Sequence, residues 1–478
     1  MAAVPLLFLL VVLVTVVATM GADAVQTYSP AILLSASAVC LAVSLVFTRM
    51  NARLLWLGIV KSSRQILPAI PILVFIGSVA ATWMYSGVVP TMIAYGLELL
   101  SPSVFLAMTC LVCAIVSVVS GSSWTTIATI GVAFIGIGNV LGYDEAWTAG
   151  AIISGAYFGD KVSPLSDTTV LASSTCGVDL FRHIRFLMLT SMPALIVALV
   201  VFTIVGFGYS VTGDARIGEM SKLLDENFNI TGWTMIIPAM TVMFLIMRLG
   251  TATTLALSSL TGLIGIFMFQ PQVVDALVGW DIYNIHDLID FSFGIVVTET
   301  SLHTGHEAFD SLSTTGGVLG MVPTIVLVLS AMIFGGVMMG SGMIGTLTRS
   351  FIRRLRNARS LVGATVCSGL FLNGVTADQY LSLILGGNLY RKAYANAGLR
   401  PEVLSRSLED SISVTSVLIP WNSCGVTQST VLGVATLAYL PCCVFNYISP
   451  LMSIAMSWIG WKMKQRRVPA LETETGAF

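Results

Sequence analysis

Runs of roughly twenty apolar residues, the length that crosses a bilayer, recur along the whole chain from residue 2 to residue 460. In lipid every backbone polar group must be satisfied internally, so a chain with many such runs folds as a bundle of helices. Charge points the same way. Only 10% of the 478 residues are charged, 23 basic and 24 acidic, against roughly 25% in an ordinary soluble domain. So few charges cannot coat a soluble body of this size. A soluble enzyme, a nucleic-acid binder and a disordered scaffold are thereby excluded. The net charge of −1 gives no sign of a polyanionic partner.

The candidate spans are 2–20, 29–48, 66–86, 102–119, 121–142, 147–178, 186–208, 233–249, 251–270, 321–345, 361–390, 408–432 and 434–460. Some are interrupted by Gly, Ser, Pro or carboxylates and read as hairpins, giving about 11–13 membrane elements. Residues 2–19 read as a first transmembrane helix and not a signal peptide, because no Lys or Arg precedes them. The eight cysteines, including the Cys110/Cys113 pair, lie mostly in or beside apolar runs and read as packing residues.

Basic residues set an expected orientation. They cluster at Arg49, Arg53, Lys61 and Arg64; at Arg182 and Arg185; at Arg349, Arg353, Arg354, Arg356 and Arg359; and at Lys462, Lys464, Arg466 and Arg467. All four groups are cytoplasmic together if 361–390 enters from the cytoplasm and returns, with Gly374 suited to the turn. The acidic segments 211–231 and 271–312 then face outward, and both termini are cytoplasmic. The expected location is the cell (inner) membrane, with the lipid bilayer as partner.

Short motifs repeat. Ser120-Gly121 matches Ser368-Gly369, and Gly138-Asn139 matches Gly387-Asn388. Asp160, Ser163 and Ser166 match Asp410, Ser413 and Ser416, and Cys176-Gly177-Val178 matches Cys424-Gly425-Val426, all at spacings of 248–250. The charge map runs 66–86 outward and 321–345 inward, so the repeats are expected to be inverted, the plan of many secondary transporters. The expected organisation is N-terminal helices over 1–60, a first repeat over 61–210, connecting helices and outer loops over 211–312, a second repeat over 313–461 and a cytoplasmic tail over 462–478. The fold class is therefore an all-α polytopic membrane protein with broken helices and re-entrant hairpins.

Polar residues inside these runs need a reason, since a charge at the bilayer centre costs about 2.5–3.5 kcal/mol or more. One cluster is 159–169, with Asp160, Lys161, Ser163, Asp167 and Thr168 around Pro164, which breaks the helix. Lys161 reads either as a salt-bridge partner or as a competitor of the cation. A second is 408–422, with Glu409, Asp410, Thr415 and Asn422 around Pro420. A third is 373–379, with Asn373, Asp378 and Gln379; its counterpart Ser122, Ser123 and Trp124 carries hydroxyls but no carboxylate. Carboxylates, hydroxyls and freed carbonyls are hard oxygen ligands, suited to Na⁺ or H⁺ rather than a soft metal. His303, His306 and Glu307 lie in an acidic outer loop and read as solvated. No nucleotide-binding loop is present.

At these residues the chain resembles the NhaC family of Na⁺/H⁺ antiporters, within the larger ion-transporter superfamily. The stretches that carry the resemblance are GSSW at 121–124, GDKVSPLSDTT at 159–169, TGGVLGM at 315–321, ADQYLS at 377–382, LSRSLEDS at 404–411 and IPWNSCG at 419–425. The resemblance implies exchange of external H⁺ for internal Na⁺. It also implies an alternative, since the family holds members that exchange malate or other organic ions with Na⁺ and H⁺. Family members tend to read EDSGTVTS after the second break; here Ile412-Ser413 stand in place of Gly-Thr.

The expected function is thus secondary antiport, with no enzymatic activity and no cofactor, on a monomer or a homodimer. Asp160 and Asp167 are the principal candidate ion ligands, Asp410 and Glu409 their second-repeat partners, and Asp378 a candidate proton carrier. Ser163, Thr168, Thr415 and Asn422 would complete the shell. Ser122, Ser123, Trp124, Asn373 and Gln379 would line it. An organic-anion exchanger would hold a carboxylate on broken-helix amide ends, but no Arg lies within the apolar breaks to pair with it.

Overall fold

The computed structural model describes all residues except 22–23, 48–49, 210–213, 279–284, 353–357 and 461–478. Arg49, Arg353, Arg354, Arg356, Asp281 and the basic tail residues Lys462, Lys464, Arg466 and Arg467 therefore lie outside the described residues. Among those described, every regular element is helical, and a lone antiparallel bridge joins Thr300 to Thr315. Seven helical stretches among the described residues are long and apolar enough to cross a membrane, up to nine if two bent pairs count as spans. Of the remaining expected elements, Val4–Met20 is apolar but one residue short of that test, and 147–178, 361–390 and 408–432 are broken by the polar residues of the site.

The apolar run 147–178 is two helices, Glu145–Val162 and Asp167–Cys176. Asp144 caps the first by accepting from the Ala146 amide at 2.7 Å. Pro164 falls in the break, where it has no amide hydrogen to continue the ladder. Ser166 caps the second by accepting from the Thr169 amide at 3.3 Å. The helix Glu145–Val162 lies against Phe105–Ser120 along Gly155 and Gly159. A side chain at Gly155 would collide with the Cys110 carbonyl.

The run 361–390 is also two helices, Ala358–Thr376 and Gln379–Asn396, packed against each other. The turn does not fall at Gly374, which stays inside the first helix. It falls at Ala377, which takes a left-handed φ of 56°. A non-glycine residue pays about 1–2 kcal/mol there. Asp378 offsets this by capping the next helix, its Oδ1 accepting from the Leu381 amide at 2.8 Å. The run 408–432 begins at the end of helix Pro401–Leu408, passes through a π-helical turn Glu409–Ser413, breaks near Pro420, and resumes as Ser423–Leu432 with Asn422 as cap.

Element boundaries recur at a constant spacing. Gly121 and Ala377, Ser122 and Asp378, Ser166 and Asn422, Gly177 and Gly433 are each 256 residues apart, and the members of each pair occupy equivalent cap or left-handed positions. Side-chain bonds recur with them. The Ser120 and Thr126 hydroxyls are 3.1 Å apart, as Thr376 and Ser382 are 2.7 Å apart. The 248–250 spacing of the sequence matches gives way to this register. At this spacing the position that follows Asp160 by 256 is Ser416, whereas Asp410 follows it by 250.

Candidate ion-binding site

The two breaks of the first half meet. Gly121, with φ 67°, leaves helix Phe105–Ser120. A Cβ added there would stand 2.8 Å from the backbone carbon of Leu165, next to Pro164. Ser122 then starts the next helix, accepting from the Thr125 amide at 3.2 Å. This puts Ser123 against Asp160, at the end of helix Glu145–Val162. Asp160 Oδ2 accepts from the Ser123 amide at 3.1 Å and from the Ser123 hydroxyl at 2.7 Å.

Asp160, Asp167, Thr168, Ser122, Trp124 and Gln379 share one small cavity of about 50 Å³, closed by Ala69, Ile72, Gly121, Thr251 and Tyr380. This lining holds two carboxylates and no basic side chain. The Thr168 and Ser166 hydroxyls are 3.0 Å apart. Gln379 Oε1 accepts from Ser416 at 3.3 Å. A second, narrower void joins Asp160, Thr168 and Gln379 to Tyr157, Lys161 and Ser413.

The second half is organised around a buried charge pair. Lys161 donates to Asp410 Oδ1, and the two side chains are 1% and 0% exposed. The same oxygen accepts from Ser449 at 2.9 Å and from Thr190 at 3.2 Å, while Ser449 also accepts from Lys161 at 2.8 Å. Arg406 Nε lies 3.9 Å from Asp410 Oδ2, and its guanidinium stacks 5.0 Å above the Phe186 ring. Asp410 is therefore engaged by protein cations. Glu409 is fully buried beside it, and its carboxylate makes no hydrogen bond among the described residues.

The other expected residues hold the breaks together. Asn373 donates to the Ile412 carbonyl at 2.7 Å and to Thr415 at 3.2 Å. Asn422 donates to the Asn373 carbonyl at 3.1 Å, and Ser423 donates to Asp378 Oδ2 at 3.4 Å. Ser163 donates to the Val118 carbonyl at 2.8 Å. Asp160, Asp167, Thr168, Ser122, Trp124 and Gln379 are thus brought to the cavity, with Ser123 directly behind Asp160. Ser163, Asn373, Asp378, Glu409, Asp410, Thr415 and Asn422 do not line it. Sequence reasoning missed Tyr380 and Tyr157, and the anchors Thr190, Ser449 and Arg406. Of these, Tyr380 and Arg406 carried a signal: Tyr380 lies in the ADQYLS stretch, and Arg406 is four residues before Asp410. In the loop before helix Glu307–Ser313, His303 and His306 approach Ser301 and Glu219 respectively. Nearby Asp310 accepts from the Thr304 hydroxyl and amide, which holds its carboxyl below the usual range.

The Na⁺/H⁺ antiporter family matches residues 1–174 and 155–461. Over 459 residues the chain is 36% identical to the Na⁺/H⁺ antiporter NhaC of Alkalihalophilus pseudofirmus OF4, covering 95% of each chain. It is 34% identical over 406 residues to the Na⁺/H⁺ antiporter NhaC of Bacillus subtilis 168, covering 84% of this chain and 86% of the other. It is also 34% identical over 410 residues to the malate-2H⁺/Na⁺-lactate antiporter of the same organism, covering 84% of each. With a matching family across nearly all of its length and relatives above 30% identity, this chain belongs to the Na⁺/H⁺ antiporter family.

Proposed function

We propose that the protein exports Na⁺ in exchange for H⁺ by competition of the two ions at Asp160 and Asp167. The observation that carries this reading is the cavity where both carboxylates converge with Thr168 and Gln379 and no basic side chain. These are hard oxygen donors, which suit Na⁺. A carboxylate ligates a cation only when deprotonated, so the site holds Na⁺ or H⁺ in turn. Exposing it alternately to the two faces makes an exchanger. The contact of the Gly121 break with the Leu165 break supports this, since a shift of one moves Ser123 against Asp160. Lys161 and Arg406 act as structural counter-charges to Asp410, and Asp378 as a helix cap.

The same reading takes the halves 61–210 and 313–461 as inverted repeats, in the cell membrane with both termini cytoplasmic. The name of the malate/lactate relative supports an organic-anion exchanger as second reading. An anion would need a cation in the cavity, and Lys161 is already matched by Asp410.

The test is Na⁺-dependent collapse of a pH gradient in inverted vesicles, run beside K⁺, Li⁺, malate and lactate. Asp160→Asn should insert normally and lose exchange. Normal exchange by Asp160→Asn would overturn the assignment, and response to malate but not Na⁺ would replace it with the second reading.

A further inference from the structure

A second cavity, about 350 Å³, lies away from Asp160. Asn139 and Glu145 stand at it, with Val431, Leu432 and Gly433 along one wall. Asn139, Glu145 and Gly433 also border an adjoining hollow of about 630 Å³ beside Asp144 and Ser311, which widens it into a vestibule. Two helices run from beside the ion-binding site to this vestibule. One is the helical stretch Ser123–Leu141, which starts at the Asp160 partner Ser123 and ends near Asn139. The other is Ser423–Leu432, which starts at the Asp378 partner Ser423 and ends in the vestibule wall.

On helix Ser423–Leu432, Cys424, Gln428, Val431 and Leu432 fall on one face by their three- and four-residue spacing. The face begins beside the site, where the cavity residue Trp124, with Tyr157 and Asp378, lies next to Cys424, and it ends in the vestibule. Gln428 lies about 6 Å along the axis from Cys424 and about 5 Å from Val431. It is fully buried, and neither its amide nitrogen nor its amide oxygen has a hydrogen-bond partner among the described residues. A buried, doubly unsatisfied amide is rare and needs an explanation. Packed against the same helix is the π-helical turn Ile127–Gly131. Such turns loosen the regular carbonyl ladder and are frequent at functional sites.

We propose that this face of the Ser423–Leu432 helix is the path between the vestibule and the cavity, and that Gln428 is a transient ligand for partly hydrated Na⁺ on it. The amide oxygen replaces one water of the ion, and the amide nitrogen holds another water in place. Glu145 at the mouth raises the local cation concentration. Gln428 is not an equilibrium ligand of the bound ion, since it does not line the Asp160 cavity. The proposal rests on Asp160 being the ion site.

Full-length Gln428→Leu protein, purified and reconstituted, tests it with two readouts. Its Na⁺/H⁺ exchange rate should fall about tenfold or more while equilibrium ²²Na⁺ binding in detergent stays within about twofold. Gln428→Asn, which keeps the amide, should recover most of the rate. Asp160→Asn, measured alongside, should lose binding itself. If it binds Na⁺ normally, the site assignment fails whatever Gln428 does. The path is overturned if Gln428→Leu exchanges at the parent rate, as a merely structural buried amide would, or if binding falls in step with rate. Gln428→Cys, in a protein whose eight native cysteines are replaced, reads access without relying on rate. A cationic methanethiosulfonate reagent should modify it, and no reaction in the native bilayer would also overturn the path.

Discussion

Lys161 and Asp410 form a fully buried ion pair that ties the end of helix Glu145–Val162 to the π-helical turn Glu409–Ser413. Thr190 and Ser449 donate to the same Asp410 oxygen, so the pair is hydrogen-bonded on several sides. The two polar clusters of the sequence thus meet through a lysine–aspartate pair.

Breaking this pair should cost more than removing it. Lys161→Met or Asp410→Asn alone leaves an uncompensated buried charge, at about 3–5 kcal/mol. The double variant removes the pair and leaves only Arg406 without its carboxylate neighbour, so it should recover part of that loss. Thermal unfolding of the purified proteins measures it. A double variant no more stable than either single one would show that the two charges do not act as a pair.

Competition at Asp160 and Asp167 has a pH signature. Where the site is mostly protonated, each unit of falling pH raises proton occupancy, so apparent Na⁺ affinity should drop about tenfold per proton displaced. Asp160→Glu keeps the charge on a longer stem and should retain weak exchange with altered Na⁺ affinity. Na⁺ titrations at several pH values check this, and an affinity flat over three units would count against it.

Asp378 distinguishes a cap from a proton carrier. Asn caps a helix as well as Asp does, whereas Ala costs about 1 kcal/mol. Asp378→Asn should therefore keep transport within a few fold of the parent, and Asp378→Ala should lower the melting temperature. Abolished exchange in a stable Asp378→Asn protein would restore the carrier role.

Gly121 should tolerate no side chain. At φ 67° an Ala pays the left-handed penalty of about 1–2 kcal/mol, and its Cβ would press on Leu165 at 2.6 Å. Gly121→Ala should displace Ser123 from Asp160 and reduce exchange more than it reduces expression. Gly305, also left-handed but with open space around it, is the control; Gly305→Ala should leave exchange near the parent rate.

The cysteines should be dispensable. All eight are free, and seven are buried as small packing groups. Replacing them together with Ala or Ser should leave exchange within a few fold, measured in vesicles. A joint requirement for Cys176 and Cys424 would show that their environment near the breaks matters to the site.

The sequence alone determined the class of fold, because apolar run length and scarce charge are local properties that lipid reads directly. It also located the breaks at Pro164 and Pro420, since a missing amide hydrogen acts on the nearest turn. Asp160, Asp167, Thr168 and Gln379 were recognisable as misplaced polar groups, and the family motifs lay on them. Partnership was another matter. Asp160 was matched with Asp410 at a spacing of 250, yet caps and left-handed turns fall at 256, a register set by backbone geometry that side-chain identity does not record. The turn at Ala377 was hidden because Gly374 is the better turn former locally, and only the packing of two helices makes an alanine adopt a left-handed φ. Lys161 finds Asp410, and Gln428 has no partner among the described residues between site and vestibule, because helices distant in sequence are pressed together in a water-poor interior. There each polar group either meets a partner from another element or stands without one, and only the tertiary structure decides which.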